Sequence, residues 1–305
     1  MKRFLASSLL VLTAAACGTT NAAPGPDGGS TPDSGVPDSG TPDGGAACVP
    51  ATPFDGGTQA LAGGTVTAAL VDETGAPVAS GQPLFICGLD ICSDPGSTTA
   101  GGGASIHTSL TEKRAAFKFG DAIGYAEFGI PLGSATTDFT TIGTGKIATA
   151  RLSGKPGAPL TPGTDAVSGD VTVSIASGAA VAINTLVYGT ADQQQLRAVS
   201  IPLTNLGQVL PATPTGFGLV FGLAPAETTI CPPAKVTVAV PASLGWPAGS
   251  AVEFWVTTTD TGQTYAPYAG WARISGGTVS ADGKTASSSS GFPVLDNFAV
   301  RLASQ

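Results

Sequence analysis

The feature that most constrains this chain is the spacing of its apolar residues, which alternate with polar ones in short runs. Two such runs are VTVSI at 171–175 and VTVAV at 236–240. A period of two places successive side chains on opposite faces of an extended strand, so these runs are typical of half-buried β-strands. No window of comparable length in the sequence carries a helical stripe of apolar residues. The sequence therefore predicts an all-β fold.

Turn residues separate these runs and divide them into two groups. Asp72-Glu73-Thr74-Gly75 and Ala281-Asp282-Gly283-Lys284 have the composition of tight turns. The segment GKPGAPLTPG at 154–163 interrupts the alternation with proline and glycine. We therefore predict two tandem β-sandwich domains, one over 48–153 and one over 166–305, joined by a linker at 154–165.

Both predicted domains resemble known β-sandwich families. Residues 64–79, GTVTAALVDETGAPVA, are similar to the opening hairpin of carboxypeptidase regulatory-like domains, which have a transthyretin-like fold. The second domain resembles the ZU5-like sandwiches of bacterial surface proteins in FGLAP at 221–225, TT at 228–229, PPAKVTV at 232–238, PAG at 247–249, GWARI at 270–274 and GTVSADGK at 277–284. The resemblance implies two Ig-like or transthyretin-like sandwiches on a surface protein, and it assigns no activity.

The first 47 residues have the pattern of an export signal followed by a tether. Lys2 and Arg3 precede an apolar stretch over 4–13, which predicts a signal peptide over 1–16. Residues 17–47 contain four Pro-Asp pairs among Gly and Ser, with almost no large apolar side chains. This composition predicts a disordered linker, because it cannot bury enough apolar surface to offset the entropy of ordering.

Cys17 determines how the exported chain is held. The ending AAAC at 14–17 resembles a bacterial lipobox, in which the cysteine is lipidated and becomes the mature N-terminus. With Gly18 and Thr19 after the cysteine, the resemblance implies an outer-membrane lipoprotein, on either the periplasmic or the extracellular side. The same alanines also satisfy an ordinary secretory cleavage site, which would give a soluble protein.

The other four cysteines favour lipidation of Cys17, because an even number of them can pair completely in an oxidising compartment. Cys87 and Cys92 bracket a short turn after the apolar run LFI at 84–86, which favours a bond between them. Cys48 would then pair with Cys231. The other two connectivities stay open from the sequence alone.

The sequence is poor in the residues that catalysis and nucleic-acid binding use. With 13 basic and 21 acidic residues, the sequence lacks the basic footprint of a nucleic-acid-binding protein. His107 is the single histidine, an ordinary polar strand residue by its context, and there is no Gly-x-Ser-x-Gly motif. We therefore expect no enzyme, no catalytic residue, no metal and no cofactor. A hydrolase with clustered carboxylates in a concave site is the remaining enzymatic alternative.

Aromatic residues are concentrated between residues 246 and 271, where the main interpretation is a sandwich core. In VEFWVT at 252–257, alternation places Trp255 on the face opposite Phe254. That face is either covered by the first domain or open as a stacking platform. The candidate binding residues are Trp255, Tyr265, Tyr268 and Trp271.

The sequence thus predicts a non-enzymatic lipoprotein of the outer membrane or cell surface that acts as a structural or binding module. Its expected partners are the membrane, through the N-terminal lipid anchor, and a surface protein or glycan, but no nucleic acid. The alternative is an adhesin or glycan-binding accessory module that uses the aromatic residues.

Overall fold

The computed structural model describes residues 48, 60–89, 91–92, 96–132, 146–203 and 216–303. Its regular elements are strands, apart from two short 3-10 turns at Ala100–Gly102 and Ala242–Leu244, so the all-β prediction is confirmed. Within those ranges, no helix is long and apolar enough to cross a membrane. The predicted signal peptide, Cys17 and the predicted linker over 17–47 lie outside the described residues.

The first part of the chain, which we call the N-terminal half (residues 60–152), contains one mixed sheet and one antiparallel sheet. Its strands are β1 (Ala60–Val71), β2 (Pro83–Cys87), β3 (Gly96–Ser97), β4 (Gly103–Lys113), β5 (Ala116–Phe119), β6 (Phe128–Pro131) and β7 (Lys146–Ala148). One sheet has the order β4-β1-β7, with β7 parallel to β1, and the other has the order β3-β2-β5-β6. Apolar side chains between the sheets, including Leu70, Leu84 and Phe117, form the core of a sandwich.

The turn that follows β1 is held by hydrogen bonds and by an ion pair with Arg151. The backbone N–H of Gly75 donates to the carbonyl of Asp72 at 2.9 Å, so the predicted tight turn is present. The buried Asp72 carboxylate accepts from the Thr74 and Ala76 amides and pairs with the Arg151 guanidinium at 2.7 Å. The turn at Gly283 is also present, with a positive φ of 72° and a hydrogen bond to the carbonyl of Ser280.

The C-terminal half (residues 158–303) is built around one 11-stranded sheet. Its strands are β8 (Asp165–Ser168), β9 (Val171–Ser174), β10 (Ala180–Ala182), β11 (Arg197–Ser200), β12 (Leu219–Ala224), β13 (Thr228–Ala239), β14 (Ala251–Thr257), β15 (Trp271–Val279), β16 (Thr285–Ser288), β17 (Phe292–Leu295) and β18 (Phe298–Leu302). The main path runs β11-β12-β18-β14-β15-β16-β13-β9-β8, while β10 and β17 also pair with β13. The sheet curves over a second apolar core until its two edges meet, where Ser168 Oγ accepts from the Ala198 amide at 3.0 Å.

The two halves share buried surface. The core of the N-terminal half continues into Tyr188, Ile201, Val220, Ala224 and Ala299 of the C-terminal half. The halves approach closely at Gly222 on β12, where a Cβ atom would lie 2.5 Å from Cβ of Ala150 and 2.7 Å from Cβ of Ala126. A glycine is required there because any side chain would push the halves apart.

Two disulfides are present, one between distant segments and one across a short turn. Cys48 is bonded to Cys231 with a Cα–Cα distance of 5.6 Å, and Cys87 is bonded to Cys92 with a distance of 3.9 Å. These are the two pairs that the sequence favoured. The first closes a loop with a sequence separation of 183 residues. A bond across so long a loop stabilises a fold by about 2 to 4 kcal/mol, since it removes entropy from the unfolded chain.

Candidate functional site

A cleft of about 220 Å³ lies where the two halves meet, and we call it the junction cleft. Several chain segments far apart in sequence reach it. Its ionisable lining residues are Lys118 and Glu127 from the N-terminal half and Tyr188, Glu227, Asp260 and Asp296 from the C-terminal half. A neighbouring cavity of about 310 Å³, beside the Cys87–Cys92 loop, shares Lys118 and Asp260 with it. The two cavities together form an extended concave surface that is rich in carboxylates.

Glu127 connects the two halves at the cleft. It lies just before β6, where its carboxylate pairs with Lys118 Nζ at 3.0 Å and accepts a hydrogen bond from the Thr259 hydroxyl. Its backbone carbonyl accepts a second bond from Nδ2 of Asn297 at 2.5 Å. One residue of the N-terminal half is therefore bonded to two segments of the C-terminal half.

Glu227 lies in the sharp turn between β12 and β13, where its backbone has a positive φ of 58°. Burial raises the pKa of its carboxyl to about 7, and the nearby carboxylates of Asp260 and Glu127 act in the same direction. Lys118 and a hydrogen bond with Gln263 lower this pKa but do not outweigh burial. Glu227 therefore exchanges its proton close to neutral pH, which an ordinary surface glutamate does not.

Asp296 occupies the turn between β17 and β18 and is only 3 % exposed. One carboxylate oxygen accepts from the Tyr265 hydroxyl at 2.5 Å, and the other accepts from the Asn297 amide at 2.6 Å. Burial raises the pKa of Asp296 well above its usual range, with a further contribution from the charge of Glu227. The two hydrogen bonds oppose this increase without cancelling it.

Two other buried groups are Tyr188, which lines the cleft, and Arg197, which bonds to the N-terminal half. The Tyr188 hydroxyl accepts from the Ala226 amide at 2.9 Å, and burial raises the pKa of this phenol. The Arg197 guanidinium, 8 % exposed, donates from Nη1 to the carbonyl of Ile123 at 2.9 Å. Burial lowers the pKa of Arg197, while its proximity to Tyr188 and Asp121 acts in the opposite direction. This arginine is a further polar contact between the halves.

The structure buries two of the four aromatic residues that the sequence singled out for binding. Tyr265 is 1 % exposed and bonded to Asp296, and Tyr268 is 4 % exposed and donates to the carbonyl of Cys87 at 3.1 Å. The latter bond also joins the two halves. Both side chains therefore contact protein groups at the junction rather than solvent.

The other two aromatic candidates are half-buried beside Phe217. The Trp271 and Trp255 rings meet the Phe217 ring edge-on, with centroids 5.2 Å and 6.3 Å away. The Arg301 guanidinium lies over the Trp255 ring at 4.9 Å from its centroid. The Trp255 Nε1 donates to Glu253 at 3.3 Å, and Glu253 also pairs with Arg301 at 2.7 Å. The ion pair between Glu253 and Arg301 therefore covers part of the Trp255 ring.

The alternation in β14 is confirmed by burial. Val252, Phe254 and Val256 point into the core, whereas Glu253 and Trp255 lie on the opposite, half-buried face. His107 lies on β4 as an exposed strand residue, bonded to Thr65 Oγ1 at 2.9 Å. In the part of the chain that the structure describes, no three His, Cys, Asp or Glu side chains are arranged to hold a metal.

Sequence reasoning missed the residues that define the junction cleft. Glu127, Glu227 and Asp296 stand in different turns or strand ends, and no motif or spacing relates them. The local signal was weak: Asp296-Asn297 is a polar pair between two apolar strands, the position of a turn. The fold of the C-terminal half makes Glu227 and Asp296 neighbours, and the packing of the halves adds Glu127.

No protein-family model matches the sequence, and no curated protein is significantly similar to it. The resemblances to carboxypeptidase regulatory-like and ZU5-like domains therefore stay predictions, and function must be inferred from the site itself.

Proposed function

We propose that the protein is a non-enzymatic lipoprotein of the outer membrane or cell surface, and that its β-sandwich body acts as a structural or binding module. The main support is the pairing of the four other cysteines in two disulfides, which leaves Cys17 as the odd one. Disulfides persist in oxidising compartments, so the body belongs outside the cytoplasm. Lipidation of Cys17 accounts for a fifth cysteine without a disulfide partner.

The way in which the halves are joined also supports a structural role. They share a core at Val220 and Ala224 and are linked by hydrogen bonds from Asn297 to Glu127 and from Tyr268 to Cys87. Such an interface resists independent motion of the halves. The body would present its surfaces in fixed geometry at the end of the N-terminal tether.

The anchor is tested by Cys17→Ser, which we expect to release the protein from the membrane fraction. Each buried methylene of an acyl chain contributes about 0.8 kcal/mol of membrane affinity, so loss of the lipid should be decisive. Mass spectrometry of the mature N-terminal peptide should find an acylated Cys17 in the wild type. Thr19→Ser, two residues further on, is the matched control and should stay membrane-bound. An unmodified Cys17 on a soluble protein would refute the proposal.

A second candidate function, glycan binding as an accessory or adhesin module, is favoured by the junction cleft. Carboxylate acceptors lie beside the donors Lys118, Asn184 and Thr259, and sugar hydroxyls use both kinds of group. The neighbouring cavity shares Lys118, Thr259 and Asp260 with the cleft and offers further room beside it. The cleft is a better candidate for this than Tyr265 or Tyr268, whose rings are buried.

This second function predicts that oligosaccharides of glucose, galactose or N-acetylglucosamine bind the purified protein at the cleft. Asp260→Asn at the exposed rim should weaken binding about tenfold, the effect of losing one hydrogen bond to a charged group. Asp165→Asn, an exposed carboxylate on β8, should leave affinity unchanged. Release of shorter sugars during the incubation would instead support the hydrolase alternative, and failure of all three sugars to bind would remove glycan binding.

A further inference from the structure

We infer that the contact between the two halves responds to pH: it is tight while Glu227, which lies among the other carboxyl groups of the junction cleft, carries a proton, and it weakens as Glu227 ionises. The cleft gathers four carboxyl groups from four separate segments, namely Glu127, Glu227, Asp260 and Asp296. Among the described residues that line it, Lys118 is the one cation, and it is already paired with Glu127 at 3.0 Å. Full ionisation therefore leaves an excess of negative charge in a partly closed space.

The bonds that join the halves run through these groups and their immediate neighbours. Glu127 accepts from Thr259 through its side chain and from Asn297 through its carbonyl. Asn297 directly follows Asp296, whose carboxylate accepts from the Asn297 amide. A change of charge at Asp296 or Glu227 thus acts beside the hydrogen bonds that hold the junction.

Glu227 is the group whose proton is exchanged in the accessible pH range. Burial raises its pKa to about 7, and Asp260 and Glu127 add to the increase while Lys118 opposes it. Asp296 faces Glu227 from the β17–β18 turn, and burial raises its pKa too. The phenols of Tyr188 and Tyr265 stay neutral beside them, since burial raises both pKa values.

The sign follows from the protons that each state binds. Between about 4.5, the ordinary value for glutamate, and about 7, folded Glu227 retains a proton that the unfolded chain has lost. Stability conferred by this group is therefore complete below pH 4.5 and is lost as the pH rises through 7. The unfolding equilibrium constant should increase by about tenfold per pH unit for each proton retained.

Denaturant unfolding of the wild-type protein from pH 4.5 to 8 provides the first test. We expect the midpoint to fall as the pH rises towards 7, and this fall to be smaller in Glu227→Gln, because glutamine stays neutral while Asp296 still contributes. Asp165→Asn, an exposed carboxylate on β8, should retain the wild-type profile. A wild-type midpoint that does not fall over this range, or a fall in Glu227→Gln as large as in the wild type, would overturn the proposal.

A second variant and a local measurement cover the case in which Glu227→Gln does not fold. Asp260→Asn keeps Glu227 but removes a neighbouring charge that raises its pKa, so the pKa of folded Glu227 decreases and the fall in stability should end at a lower pH than in the wild type. More directly, the total loss of stability should be smaller in Asp260→Asn than in the wild type. Hydrogen exchange corrected for intrinsic rates should show residues 123–129 opening more readily at pH 7.5 than at pH 5.5, while Val236 and Val238 in the C-terminal core change little. Equal loss in Asp260→Asn, or uniform opening of both regions, would contradict a pH-responsive junction.

Discussion

At the scale of single residues, Trp255 illustrates how neighbouring side chains determine what an aromatic ring can do. Arg301 lies over its ring, Phe217 approaches its edge and Glu253 accepts from its indole N–H. A guanidinium over an aromatic face contributes about 0.5 to 2 kcal/mol, depending on solvent exposure. These contacts make Trp255 a structural residue of the outer face of β14, and they leave less of its ring for a ligand.

We therefore expect Trp255→Ala to destabilise the protein by about 2 to 3 kcal/mol, below the cost of truncating a fully buried tryptophan. The loss combines apolar packing with the cation–π contact from Arg301. Denaturant unfolding at constant pH measures it. Leu186→Ala is the control, because Leu186 is 96 % exposed and should change stability by less than about 0.5 kcal/mol. If Trp255→Ala lowered the stability as little as the control does, Trp255 would again be a candidate binding platform.

At the scale of elements, β12 shows what happens to a strand that is covered on both faces. Its sequence, LVFGLA, has no polar residue, and all six positions are buried. Leu219, Phe221 and Leu223 belong to the core of the C-terminal half, whereas Val220 and Ala224 pack with the N-terminal half. A continuous apolar run is the pattern of such a strand, in contrast to the alternation of β14.

The tight approach at β12 predicts that Gly222→Ala destabilises the protein by about 1 to 3 kcal/mol, since the added methyl group overlaps Ala126 and Ala150. Thermal or denaturant unfolding measures the loss. Gly189→Ala is the matched control, because its nearest neighbour would be the carbonyl oxygen of Thr185 at 3.8 Å, an ordinary contact. If Gly222→Ala were as stable as Gly189→Ala, this would contradict close packing of the two halves at Gly222.

At the scale of the whole molecule, the described residues of the two halves form one compact unit with a shared core. Apolar contacts at β12 bring the halves together, and polar contacts from Glu127, Arg197 and Tyr268 fix their orientation. The junction cleft is the gap that remains between them. Its carboxylates are the basis of both the proposed glycan binding and the proposed response to pH.

The sequence by itself determined the features that depend on neighbouring residues. Alternation in VEFWVT separated Phe254 from Trp255 correctly, because side-chain direction in a strand follows from the period of two. The turn at Asp72 and the bond between Cys87 and Cys92 followed from residue types within a few positions of each other. The all-β class emerged from the sum of such local patterns.

Only the tertiary structure decided which surfaces cover one another. Tyr265 and Tyr268 have no sequence signal that distinguishes a buried ring from an exposed one, and tertiary packing buried both, Tyr265 in the core of the C-terminal half and Tyr268 against Cys87 of the other half. Glu127, Glu227 and Asp296 are far apart in the chain, so their mutual electrostatic effects arise only once the chain has folded. The physical reason is that burial and charge interactions depend on distance in space, whereas sequence patterns report distance along the chain.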